Sequence, residues 1–150
     1  MKPIAPLSLA CLVLLAACTS STSRGAGAPA PGVLTPGAVA QIYYWRAKPG
    51  KLEEYTRYIR DVAEPIDEEA QRHGAFLSVA TYMTQDTLST WTHMRVFILR
   101  DSTQLLALSA ALDSAGRRLE PDSARRRERS EYAAGLRDRV GAVTARILHD

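Results

Sequence analysis

The sequence predicts an α+β domain in which four strands form one antiparallel sheet and the helices gather on one face of it. Three observations carry that expectation. β-rich runs and amphipathic helical runs follow one another in the order strand, helix, strand, strand, helix, helix, strand. The two middle strands are separated only by the polar stretch TQDTLS, short enough for a hairpin loop. A chain of 150 residues holds one hydrophobic core and not two.

Taken from the amino terminus, Met1 and Lys2 give a short positive start to an apolar run of eleven residues at 7–17. A membrane-spanning helix takes about 20 apolar residues to cross roughly 30 Å of hydrocarbon, so the run reads as a secretory signal peptide at 1–17. Its last residues with the one that follows, Leu15-Ala16-Ala17-Cys18, resemble the lipobox of bacterial lipoproteins. That resemblance implies cleavage before Cys18 and thioether lipidation of Cys18; the plain alternative is an ordinary signal peptide that leaves Cys18 a free thiol. Thr19 stands where an aspartate would imply retention at the inner membrane, so the resemblance implies an outer-membrane anchor facing the periplasm. Residues 18–37 follow as a lipidated tether: positions 19–37 hold four Gly and three Pro and offer no periodic apolar face. The folded domain is then 38–150.

Within it, residues 39–48 (VAQIYYWRAK) are β-branched and aromatic and are closed by Pro49-Gly50, a strand ending in a turn. From 51 to 73, Leu52, Tyr55, Ile59, Val62 and Ile66 recur at steps of three and four, which predicts an amphipathic helix. Pro65 lies inside that pattern, lacks an amide donor and should kink or split the helix, and Gly74 suits its left-handed end. Residues 75–83 and 90–99 are the hairpin strands. Asp101 caps the next helix, with Gln104 placed to complete a capping box, Leu105, Leu108 and Leu112 as the buried stripe and Gly116 as the stop. Pro121 opens a polar extra helix through Arg139, and AVTARILH after Gly141 reads as the last strand.

This order is the ferredoxin-like split βαβ pattern. Helices on one face leave the other face bare, and something must cover it. The chain is similar here to the dimeric α/β-barrel superfamily, including its stress-responsive and monooxygenase-like branches, on YYWRAKPGKLEEY, HGAF and WTHMRVFILRDSTQLL. The resemblance implies a homodimer in which two sheets pack together around a cavity.

Alternation along the third strand sorts Thr92, Met94, Val96 and Ile98 to one face and Trp91, His93, Arg95 and Phe97 to the other. The apolar set is expected under the helices, and the mixed set on the open side with Gln41, Tyr43, Trp45 and, register allowing, Arg146. Tyr43, Trp91, His93 and Arg95 are therefore the candidate ligand-binding residues, suited to a small planar, apolar or anionic ligand. The same aromatic and arginine side chains would equally serve a subunit contact. His93 is the one candidate catalytic base, although a lone histidine on a strand is more often simply hydrogen-bonded. His73 precedes a helix end and suits its terminal carbonyls, and His149 lies beside the chain terminus.

Cofactor-free monooxygenases of the resembled superfamily, and its haem-degrading members, place a histidine on the helix after the third strand, an asparagine on the first strand and a tryptophan on the third. Trp91 can match the last; Ala107 and Leu108 stand where the histidine is expected, and Gln41 or Tyr43 replaces the asparagine. No cofactor is expected. Both cysteines fall within the first eighteen residues, so no metal site is expected either. The run 117–129 holds six arginines among Glu120, Asp122 and Glu128; behind a signal peptide nucleic acid is no partner, and the mature chain carries only +2, from 18 basic and 16 acidic side chains. It reads as a solvated helix face, with anionic headgroups as the functional alternative. The function these readings favour is a lipid-anchored envelope protein that binds a small ligand or a protein without catalysis. The alternative is a cofactor-independent, monooxygenase-like enzyme using His93, Trp91 and Arg95 on a planar apolar substrate, and a purely structural role in the envelope is a third possibility.

Metabolic labelling with a fatty-acid analogue tests the anchor. Cys18→Ala is expected to take up no label, and label at the parental level in that variant would refute lipidation.

Overall fold

The computed structural model describes residues 37–146; the segments expected to be signal peptide and tether ahead of Gly37, with Cys18, and the carboxy-terminal residues with His149 lie outside them. The strand predicted first becomes β1, Val39–Ala47, and its β-branched and aromatic residues take an inner place in the sheet. On one side of it lies β3, His93–Leu99, followed by the edge strand β2, Ser78–Met83; on the other lies β4, Arg137–Arg146. The order β2-β3-β1-β4, antiparallel throughout, is the ferredoxin-like split βαβ arrangement, with the helices packed on one face.

Pro65 splits the first helix as its missing amide requires. Residues Leu52–Tyr58 form α1, Ile59–Ala63 widen into a single π-helical turn, and Glu64–Arg72 resume as α2. Gly74, at φ +75°, ends α2 as a Schellman cap, with the amides of Gly74 and Ala75 donating to the carbonyls of Gln71 at 2.8 Å and Ala70 at 3.1 Å. Beside this end, His73 Nδ1 meets the Glu69 carbonyl at 2.9 Å, the terminal-carbonyl contact expected of it.

Asp101 caps α3, Ser102–Leu119, by accepting the Gln104 amide at 2.9 Å. The reciprocal half of the capping box slips by one residue, since Gln104 Oε1 accepts from the Arg100 amide at 2.7 Å. Gly116 does not stop α3. It sits inside the helix beside Ile66, and the residues after it are held by helix partners: Arg117 pairs with Asp113, and Arg118 donates to Glu69 of α2 at 2.5 Å. That last bond, with help from Arg72, keeps the Glu69 carboxyl below its usual range.

The extra helix, α4, spans Ser123–Leu136 and is capped by Asp122, which accepts from the Ala124 amide at 2.8 Å. It ends earlier than the sequence suggested, and β4 begins at Arg137 with no intervening loop. Two contacts decide the boundary. Leu136 is buried against Ala47, Tyr55 and Ile59, and the backbone after it pairs Arg137 with Ala47, Asp138 with Arg46 and Arg139 with Trp45. The polar stretch RDRV hides a strand that its partner recruits.

The largest correction concerns the faces. Burial alternates along β3 so that His93, Arg95, Phe97 and Leu99 are buried, while Met94, Val96 and Ile98 are only partly so. The buried set faces the helices: His93 meets Tyr55 of α1, Arg95 meets Asp67 of α2, and Phe97 joins a core with Phe76, Leu99, Leu108 and Ala115. The apolar set lies on the helix-free face, paired with Ile42 and Tyr44 of β1 and with Tyr82 of β2. The candidates Tyr43, His93 and Arg95 share one face as expected, but that face lies under the helices and not on the open side. The physical reason is the Arg95–Asp67 ion pair, which lets a charged residue take a core position: Arg95 is 8% and Asp67 4% exposed. Trp91 precedes the strand, so alternation does not extend to it; its ring packs on Tyr44, on the opposite face.

Removing one partner of this pair is expected to be costly. Asp67→Ala should lower the free energy of unfolding by about 3–5 kcal/mol in urea titrations, whereas Arg95→Met with Asp67→Leu should restore most of it. A loss under about 1 kcal/mol in the single variant, the size of an exposed pair, would contradict the burial of the pair.

Candidate functional site

Two of the recesses between the sheet and the helices adjoin one another. The larger, about 420 Å³, has Trp45 on its floor, Tyr58 and Ile66 on one wall, Leu112 and Gly116 on another, and Arg126, Arg129 and Ala133 of α4 on a third. The smaller, about 230 Å³, is formed by Tyr43, Trp45, Arg95 and Phe97 beneath Leu112 and Ser109 of α3. Trp45, Leu112 and Arg137 belong to both, so the two adjoin along a shared wall.

Arg137 is the centre of that wall. Its guanidinium lies 3.6 Å above the Trp45 ring, with the rings of Tyr55 and Tyr58 at 5.3 Å and 5.9 Å. A planar, weakly hydrated cation stacks well on an indole face, which lets it stand here without a carboxylate partner among the described residues. Its one hydrogen bond within the described residues is from Nη1 to Tyr55 Oη, at 3.1 Å. The effect reaches its neighbours: burial raises the Tyr55 phenol, and the Arg137 charge and hydrogen bond pull it partly back. Sequence reasoning missed Arg137 by assigning it to a helix. The available signal was the set of three aromatic residues, Trp45, Tyr55 and Tyr58, on the elements that it joins.

Of the candidates, the structure brings Tyr43 and Arg95 together in the smaller recess, adds Trp45 to them, and leaves Trp91 and His93 out. Arg95 is committed to Asp67 through one nitrogen, while its buried Nε–H has no acceptor among the described residues. Burial pulls this guanidinium below its ordinary range, and the nearby charge of Arg137 acts in the same direction.

His93 is enclosed at 1% exposure with its ring edge on Tyr55, centroids 4.6 Å apart. Both of its nitrogens are engaged. The Thr56 hydroxyl donates to the Leu52 carbonyl at 2.8 Å, which leaves its oxygen to accept from Nε2–H at 3.1 Å. The Thr92 oxygen accepts the Ala47 amide at 2.8 Å and donates to Nδ1 at 3.0 Å, closer than its other acceptor, the Trp45 carbonyl at 3.3 Å. These bonds suit the neutral imidazole, and burial, reinforced by the charge of Arg137, holds its pKa below the ordinary value. His93 thus ties α1 to the sheet and lines neither recess. Among the described residues, no three His, Cys, Asp or Glu side chains gather as metal ligands.

The chain is similar to solved structures. HapK from Hahella chejuensis matches with a TM-score of 0.53 at 9% identity, over 75% of this chain and 94% of that one. A candidate monooxygenase from Shewanella loihica PV-4 matches with a TM-score of 0.45 at 14% identity, over 77% of this chain and 99% of that one. The likeness to HapK shows the fold, a four-stranded antiparallel sheet with helices on one face. No protein-family model matches the chain, and none of the curated proteins does.

The neutral state of His93 has a measurable consequence. Because its folded pKa is depressed, the unfolded chain binds the proton more readily below the ordinary value of 6.5, so stability is full above that pH and is lost as pH falls. The loss can reach about 1.4 kcal/mol per pH unit. His93→Gln should flatten this part of the stability profile; an unchanged slope in the variant would show that the imidazole charges freely in the fold.

Proposed function

We propose that this chain is a lipid-anchored protein of the bacterial cell envelope, held through Cys18 at the periplasmic face of the outer membrane, whose folded domain binds a small planar ligand bearing an acid group. The binding site is the smaller recess. One observation carries the reading: Arg95 stands in the lining of a recess walled by Tyr43, Trp45 and Phe97, with the guanidinium groups of Arg137 and Arg139 beside it. A carboxylate laid against the aromatic wall would accept a charge-assisted hydrogen bond from this cationic lining.

Binding, rather than turnover, is the reading favoured because the one candidate base is spent on structure. The monooxygenase-like alternative needs an acid–base group at the ligand, and His93 has both nitrogens occupied outside the recess. The helix-free face supports a homodimer in the same proposal. It presents Ile42, Tyr44, Met94, Val96 and Ile98 as one apolar layer, with Val143 beside them half exposed, and a second copy of the sheet would keep that layer dry. Anchoring adds about 0.8 kcal/mol for each methylene buried in the bilayer, so two or three acyl chains would hold a domain that needs no spanning helix.

Calorimetric titration of the full chain in phosphatidylcholine vesicles with 2-naphthoate tests the site. Saturable binding should survive Trp91→Ala and weaken at least tenfold in Trp45→Ala and in Arg95→Leu. Binding that is lost with Trp91 and kept without Trp45 would move the site to the bare face, and no saturable heat from the parent would refute the reading.

A further inference from the structure

The charges around the two recesses are unbalanced. Arg95, Arg126, Arg129, Arg137 and Arg139 line them, and the acid that does so, Asp113, is already held by Arg117. Asp67 answers Arg95, and Glu120 stands 3.8 Å from Arg129. Neither Arg137 nor Arg139 has a carboxylate within 4.0 Å among the described residues. Arg137 is fixed by stacking on Trp45, so its plane is set and most of its five N–H donors remain for a ligand. It borders both recesses, whereas Arg95 lies only in the smaller.

We infer that the ligand is a flat aromatic diacid, with one acid group on Arg95 and the second on Arg137, and that Arg137 is the residue that selects for the second charge. The inference rests on the binding reading given above and extends it to a ligand class. A single carboxylate beside Arg95 leaves Arg137, a cation without a counter-ion among the described residues, at the junction of the recesses. A second one, carried by the same rigid ring system, neutralises it without further loss of freedom on binding. Arg126 and Arg129, on the α4 wall, add a field of the same sign that favours a dianion over a monoanion of equal shape. Stacking makes the arrangement specific, because a lysine at 137 would keep the charge but lose both the planar fork and the fixed position on Trp45.

The test compares 2-naphthoate with 2,6-naphthalenedicarboxylate by calorimetry on the full chain in phosphatidylcholine vesicles. The dicarboxylate should bind at least tenfold more tightly at low salt, with an advantage that shrinks as salt is added. Arg137→Gln should remove that advantage while still binding 2-naphthoate, and Arg137→Lys should restore only part of it. Equal affinity of the parent for the two compounds overturns the inference and leaves the binding reading standing; this comparison needs no variant to fold. An advantage that persists undiminished in Arg137→Gln also overturns it, and failure of the parent to bind either compound overturns both.

Discussion

The structure depends on one buried ion pair. Arg95 is an inner residue of β3, and side chains on a strand alternate strictly, so whichever way Arg95 points, His93, Phe97 and Leu99 point with it. Asp67 on α2 decides the direction by meeting the guanidinium beneath the helices. Two charges withdrawn from water cost several kcal/mol each before their attraction is counted, and the pair by itself is weak evidence of stability. Its effect is on specificity. With Arg95 turned inward, the three apolar residues between these four must face outward, which leaves the far side of the sheet in need of a cover.

The same constraint builds the cleft. A core filled only with aliphatic side chains would close the space between sheet and α3, whereas Arg95, Tyr43 and Trp45 bring polar ends and flat faces there. Arg137 completes it from the other side of β1. Its stacking on Trp45 begins β4 directly where α4 stops, so the residue that shapes the cleft also sets the register of the edge strand. The hydrogen bonds around His93 fasten α1 to the same end of the sheet through Thr56, and the imidazole supplies rigidity there without its charge.

Much of this fold was legible in the sequence because local chemistry decides it. Pro65 had to break the helix, Gly74 had to end it, Asp101 had to cap the next one, and the aromatic and β-branched runs had to be strands. What was not legible depends on contacts between distant elements. Alternation sorts β3 into two sets of side chains but cannot say which set lies inside, and the general preference for apolar residues inside pointed the wrong way. The deciding group, Asp67, reads in sequence as part of the solvated face of an amphipathic helix. The junction at Arg137 was missed for a similar reason, since RDRV has strand character only beside Trp45. Of the candidate site, Tyr43 and Arg95 were legible and are together; Trp91 fell outside because the strand begins after it, and His93 because its ring is held between Thr92 beside it and Thr56 of the distant α1.

The most direct test of this account is the side-chain amide spectrum of the arginines in 15N-labelled protein. An arginine held beneath helices has an Nε–H shielded from solvent, so one Nε–H signal, absent from Arg95→Lys, should exchange with water far more slowly than the rest. If every arginine Nε–H exchanges at the rate of an exposed guanidinium, Arg95 faces solvent, and the inward-facing polar edge of β3, with the cleft built on it, is wrong.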